Sequence, residues 1–176
     1  MLIDGVQSAL VLSETECDYL ISQTQKKPLQ EASVFYAKGI EQNKIRSVKG
    51  TEIETESMRQ FVFSQFKKLN SLEFELSGME QLQIFKYEIG DHYDWHTDWS
   101  PVNNKKRKLS ITIQLSDPSE YEGGEVEILD GPVSRVVPSE RGVATVFPSW
   151  AVHRVRPITS GTRWALVAWA TGKPFK

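Results

Sequence analysis

The spacing of apolar and polar positions changes along the chain, and the changes mark its elements. Residues 1–12 read as a short strand or extended lead-in. Ser13 with Glu16 makes the S-x-x-E pattern of a capping box and predicts a helix over 14–25. Pro28 favours an end near Lys26-Lys27, because proline disfavours helical geometry in the residue before it. Residues 31–37 are a strand candidate, and 39–50 a basic, partly extended strand edge or loop. Met58, Phe61, Val62, Phe66 and Leu69 recur at helical spacing behind the potential cap Thr55, predicting a second helix with one face packed on a sheet. From Leu72 the period becomes two. Strands are expected at 82–87, 109–115, 125–129, 133–137, 142–147, 151–155 and 162–170, with a turn-rich link at 117–124 and a hairpin signal at Asp130-Gly131. In Leu109–Leu115 the alternation is strict. Its polar set, Ser110, Thr112 and Gln114, is either the wall of a wet cavity or the outside of the sheet.

Helices first and about eight short strands afterwards predict an α+β fold, a β-sandwich or jelly roll backed by N-terminal helices. A chain of 176 residues suits a single domain, 1–176, with 1–78 as support and 79–171 as the core. The net charge of −2 makes no electrostatic case for nucleic acid or an anionic membrane. No apolar run is long enough to span a bilayer, and the N-terminus lacks the basic start and apolar run of a signal peptide. The single cysteine, Cys17, cannot form an internal disulfide, which fits a reducing compartment, and a cytoplasmic location is expected. Lys105-Lys106-Arg107-Lys108 closes a Pro- and Asn-containing segment, 100–108, that reads as a solvated loop.

The candidate chemistry centres on Tyr87–Asp98. On a strand, His96 and Asp98 share one face with backbones about 6–7 Å apart, which suits two ligands of one metal. His153 is the only histidine downstream and the natural third ligand. Two histidines and a carboxylate on one side of a metal form the facial triad of non-haem Fe(II) oxygenases. Arg163 introduces the apolar run Trp164–Trp169, where burial without an anion is costly and a guanidinium suits two-point capture of a carboxylate. A structural ion pair with Asp or Glu is the alternative. Only three histidines disfavour a histidine-rich cupin site, and one cysteine disfavours a closed structural zinc site. His92, Trp95, Trp99 and Trp150 read as surface, packing or rim positions.

Together these segments resemble the 2-oxoglutarate- and Fe(II)-dependent dioxygenases, in particular the prolyl 4-hydroxylase-like branch and its bacterial PKHD-type relatives. The likeness lies in Tyr87-x-x-Gly90, Tyr93 and His96-x-Asp98, in Leu109–Glu125 with its Gly123-Gly124-Glu125 turn, and in Phe147–Trp169 with His153 and Arg163. It covers about residues 80–170. The resemblance implies a double-stranded β-helix, with Fe(II) held by His96, Asp98 and His153. It implies that Arg163 and Tyr87 hold the distal carboxylate of 2-oxoglutarate, and that Thr112 and Trp169 line the cosubstrate site. O2 would be the second cosubstrate, ascorbate a supporting reductant, and succinate and CO2 the coproducts. Asp98 argues against halogenase chemistry, where that carboxylate is missing. The implied substrate is a prolyl residue in a peptide or protein, with a free amino acid or other small molecule as the alternative. A cupin-like binding module without turnover ranks lower. Nucleic-acid base oxidation ranks low too, because Trp169 stands where that branch has a further arginine. No membrane partner is implied, and oligomeric state is left open.

Overall fold

The computed structural model describes residues 5–32, 45–53, 55–102 and 104–175. Strand β1 (Gln7–Leu10) leads into helix α1 (Glu14–Gln25). The predicted capping box forms: the Ser13 hydroxyl accepts from the Glu16 N–H at 3.3 Å, and the Glu16 carboxylate accepts from the Ser13 N–H at 2.8 Å. Then come β2 (Gln30–Glu31), β3 (Arg46–Ser47), β4 (Lys49–Ile53) and helix α2 (Glu56–Lys68). Most of the expected strand at 31–37, and Asn43-Lys44, lie outside the described residues. Thr55 takes the N-cap position of α2 but makes no side-chain cap bond, so its expected capping role does not hold.

The remaining strands are β5 (Gly78–Met79), β6 (Leu82–Tyr87), β7 (His92–His96), β8 (Arg107–Gln114), β9 (Tyr121–Gly123), β10 (Val126–Asp130), β11 (Val133–Val136), β12 (Val143–Pro148), β13 (His153–Val155), β14 (Ile158–Gly161) and β15 (Arg163–Thr171). One sheet runs β1-β12-β8-β15-β6-β4-β2, with β5 also on β15, and the facing sheet runs β11-β10-β13-β7-β3. The strand pairings within both are antiparallel. The fold is α+β, a double-stranded β-helix with N-terminal helices on one flank.

The larger sheet is buried on both faces. Ile84, Leu109, Ile111, Ile113, Val146 and Leu166 pack with Leu20 and Cys17 of α1 and Val62 and Phe66 of α2. The apolar stripe of α2 is thus a packing face. On the opposite side, Phe85, Tyr87 and Phe147 meet Ile128 and Val155 of the smaller sheet. Ser110, Thr112 and Gln114 are buried as well, 2–5% exposed, so the outside reading of that polar row is ruled out. Pairing places Gln114, Thr112 and Ser110 beside Ala165, Val167 and Trp169, which gives one inward face across β8 and β15.

Two local expectations are corrected. β7 ends at His96, so Asp98 lies past the strand rather than on it. The N–H groups of Asp98 and Trp99 both turn to the Ser149 carbonyl, at 2.9 and 2.8 Å, which ends the ladder. The basic run is also divided. Lys105 and Lys106 are exposed, but Arg107 and Lys108 belong to β8, and Lys108 is only 7% exposed, beneath Phe175.

Candidate metal centre and anion pocket

His96 and His153 are direct cross-strand partners on β7 and β13. Their side chains and that of Asp98 bring one ligating atom each to within 4.8 Å of one another. His96 Nε2 lies 3.7 Å from Asp98 Oδ1, and His153 Nε2 lies 3.5 Å from Asp98 Oδ2. The other ring nitrogens are engaged. His96 Nδ1 donates to the Asp94 carbonyl at 2.7 Å, and His153 Nδ1 donates to the Ala151 carbonyl at 2.9 Å. A carbonyl can only accept, so both Nδ1 atoms carry a proton, which leaves the two Nε2 atoms as the ones that face Asp98. Tyr93 stacks on His96 with centroids 3.4 Å apart, and Phe147 sets its edge against His153 at 4.7 Å.

The charge states suit a cation. Burial, and next the neighbouring His153, lower the His96 imidazole to about 3 against the pull of Asp98, so it is neutral at ordinary pH. Burial alone would raise the Asp98 carboxyl. The two imidazoles and hydrogen bonds from Ser110 and Trp169 outweigh it and hold it at about 2. The Ser110 hydroxyl donates to Asp98 Oδ2 at 2.6 Å and lies 3.1 Å from the Ser149 hydroxyl. A neutral His96 imidazole, the His153 ring and one carboxylate, converging on one point, are a donor set for one divalent ion.

Arg163 is 1% exposed. Its Nε and Nη2 donate to Gln114 Oε1 at 3.1 and 2.7 Å, and among the described residues Nη1 has no hydrogen-bond partner. Its polar partner is thus an amide rather than a carboxylate. Such a charge is strongly disfavoured until an anion reaches it. Tyr87 is Arg163's cross-strand partner, with its ring 5.2 Å from the guanidinium carbon. Burial raises the Tyr87 phenol, which stays a neutral donor.

His96, Asp98, His153, Tyr87, Thr112, Arg163 and Trp169 all line one cavity of about 50 Å³. A larger cavity of about 300 Å³ behind Arg163 contains none of the three converging ligands. The smaller one holds all three converging residues. Sequence spacing did not single out Gln114 as the partner of Arg163, although it belongs to the polar row of β8. Ser149 had no signal beyond residue type, and Arg46 only its loose match, with Ser47, to the family resemblance and its place in the basic segment 43–50. Arg46 lines the same cavity, its guanidinium 4.6 Å from the Phe85 ring and 4.5 Å from the Tyr93 ring.

Residues 82–171 match the model of the 2OG-Fe(II) oxygenase superfamily. The chain belongs to that superfamily. A PKHD-type hydroxylase of Synechococcus sp. (strain CC9902) is 39% identical over 93 residues, covering 52% of this chain and 41% of the relative. A second, from Picosynechococcus sp. (strain ATCC 27264 / PCC 7002 / PR-6), is 32% identical over 139 residues, 77% of this chain and 62% of that protein. The chain thus spans about two fifths to three fifths of these relatives' length. Among solved structures, a Pseudomonas putida prolyl-4-hydroxylase superposes with TM-score 0.76 at 20% identity, over 96% of this chain and 93% of that one. The viral collagen prolyl hydroxylase of Paramecium Bursaria Chlorella virus-1, solved as a 2OG complex, gives 0.72 at 18%, over 98% and 100%. At these identities the superpositions establish the shared fold. The superfamily works with Fe(II) and 2-oxoglutarate, and the donor set and orphaned guanidinium fit that pair.

Proposed function

We propose that this chain hydroxylates an unactivated C–H bond, on a prolyl residue of a peptide or protein, with Fe(II), 2-oxoglutarate and O2. The observation that carries this is the convergence in one small cavity of His96, His153 and the Asp98 carboxylate with the buried Arg163 guanidinium, which has an amide rather than a carboxylate as its polar partner. His96 Nε2, His153 Nε2 and Asp98 would hold the iron. Arg163 and the Tyr87 phenol would take the distal carboxylate of 2-oxoglutarate, with Thr112 and Trp169 on the wall around it. Iron, once bound with 2-oxoglutarate and O2, supplies the oxidising power, and succinate and CO2 are the coproducts. The chain's own residues hold that group in place and keep it dry. Ser110 fixes the Asp98 carboxylate, Tyr93 and Phe147 fix the imidazoles, and Phe85, Val155 and Val167 line the cavity with apolar surface.

A prolyl substrate is supported by the relatives named as PKHD-type hydroxylases and by the prolyl hydroxylases that share the fold. One observation favours a free amino acid as the second reading. Arg46 is another cation on the same cavity and could take a substrate carboxylate. Cys17, buried and unpaired, supports a reducing compartment such as the cytoplasm. No described helix is long and apolar enough to cross a membrane.

The test needs no substrate. Fe(II) and then 2-oxoglutarate are added anaerobically to metal-free protein, and visible absorption is recorded. The expected result is a charge-transfer band of a chelated 2-oxo acid that is absent in Asp98→Ala and needs more 2-oxoglutarate in Arg163→Ala. Bound Fe(II) without such a band would end the oxygenase reading. If the band forms, turnover of proline-containing peptides against free proline separates the two substrate readings.

A further inference from the structure

Asp98 is the one proposed ligand that no strand holds. It follows the end of β7, and its backbone N–H is anchored on Ser149. A carboxylate at such a corner needs other restraints to keep its aim. One group outside the cavity supplies several of them. The Arg107 Nη1 donates to the Asp98 carbonyl at 3.3 Å. The same guanidinium lies 3.9 Å from the centre of the Trp169 ring, which lines the cavity beside Asp98. Its remaining edge is gripped by Glu80 in a two-point fork, Nε to Oε1 at 2.9 Å and Nη2 to Oε2 at 2.6 Å. Glu80 is itself fastened. Its N–H donates to the Trp169 carbonyl at 2.9 Å, and its carbonyl accepts from Arg59 Nη1 of α2 at 3.3 Å. Arg59 Nη2 also reaches the Met79 carbonyl at 3.2 Å.

We propose that Arg107, oriented by Glu80, is a positioning residue for Asp98, and that the pair sets how the carboxylate meets the metal. The inference rests on the metal assignment above and adds to it a support outside the cavity. It gives Arg107 of the basic run a role within β8. The role requires arginine. A planar fork can bind Glu80 at two points, reach the Asp98 carbonyl and stack on Trp169 together, and a lysine ammonium cannot. Arg107 and Glu80 are 14% and 37% exposed at their side chains, so the fork is partly screened, and any share it has in folding is read separately from the metal through the melting temperature.

The test uses Co(II) as the probe metal on chelator-stripped protein, comparing wild type with Arg107→Lys and Glu80→Gln. Three quantities are read: Co(II) affinity, the visible d–d spectrum of the bound ion, and the melting temperature of the metal-free form. Loss of outer support for a metal ligand weakens binding about 10–100-fold. Both variants should therefore bind Co(II) at least about tenfold more weakly, with an altered d–d band, while the metal-free melting temperature moves by less than about 4 °C. An unchanged affinity and spectrum in both variants would overturn the proposal, whether or not melting changes. If Arg107→Lys does not fold, Glu80→Gln, which keeps side-chain size, decides alone. Failure of wild type to take up Co(II) would remove the metal assignment and this inference together. Normal Co(II) uptake without a 2-oxoglutarate band in the Fe(II) experiment would end the oxygenase reading and leave the clamp standing.

Discussion

His96 and His153 use the same local device. Each ring directs Nδ1 to the carbonyl two residues earlier, Asp94 and Ala151 respectively, so each ring's orientation is set by its own segment before any metal arrives. Burial of the His96 ring, against which the Asp94 bond works, has a cost in acid. His96 is depressed from an ordinary 6.5 to about 3, chiefly by burial. Between those values an unfolded chain binds a proton at His96 that the folded chain refuses, so stability falls as pH drops through that window. Asp98 is depressed from 3.8 to about 2, and its contribution is lost as pH falls through that range. Metal-free protein should therefore melt at progressively lower temperature from about pH 6.5 downward, well before carboxylates protonate. His96→Gln, which keeps a polar side chain of similar reach but does not titrate, should flatten the curve between about pH 6.5 and 4.5. Parallel curves for the two proteins would remove His96 as the source.

The turn between β9 and β10 joins the anion pocket to the sheet that carries His153. Gly124 has a φ of +67°, and a Cβ there would stand 2.4 Å from Ile158 Cδ1 and 3.0 Å from Arg163 Cδ. Gly131, in the β10–β11 hairpin, has a φ of +61° with nothing within 4 Å of an added Cβ. Alanine at either site meets the left-handed backbone penalty, about 1–2 kcal/mol. Only Gly124→Ala also presses on Arg163. Both variants should lose stability, Gly124→Ala the more, and Gly124→Ala alone should need more 2-oxoglutarate to form the Fe(II) charge-transfer band. Equal requirements would show that the turn does not set the arginine. Elements such as α1 and β6 were legible because their signals are local: a cap three residues long, an alternation within six. The end of β7 was not, since its terminator, Ser149, lies far along the chain. The orientation of Ser110, Thr112 and Gln114 was undecidable from β8 by itself, because that strand is buried on both faces and its polar side meets a cavity built by other strands. Glu80 and Arg46 carry no spacing signal, and only the fold reveals what they touch.

The whole molecule divides the site between its two larger sheets. His96 and His153 belong to the five-stranded sheet, while Tyr87, Ser110, Thr112, Gln114, Arg163 and Trp169 belong to the eight-stranded one. Asp98 stands at the junction, just past β7 and bonded to Ser110 of β8. A metal on the triad would join the smaller sheet to that junction, and a 2-oxo acid reaching from the metal to Arg163 would span the gap between sheets. Ligand binding should therefore stabilise in two separable steps. Mn(II), which does not support turnover of this kind, should raise the melting temperature of metal-free protein, and 2-oxoglutarate should raise it again. A ligand at a hundred times its Kd contributes about 2.7 kcal/mol, which in a domain of this size is a rise of about 5–10 °C. Arg163→Met should keep the first step and lose most of the second, since thioether replaces the guanidinium at similar length. Asp98→Ala should lose both, because without the junction carboxylate the metal has only the smaller sheet to hold it. A full second step in Arg163→Met would place the far carboxylate on another cation, with Arg46 the next candidate in the same cavity. A full 2-oxoglutarate step without metal would mean that the acid binds independently of the triad, and the two sheets would then have to be joined by something other than a shared chelate.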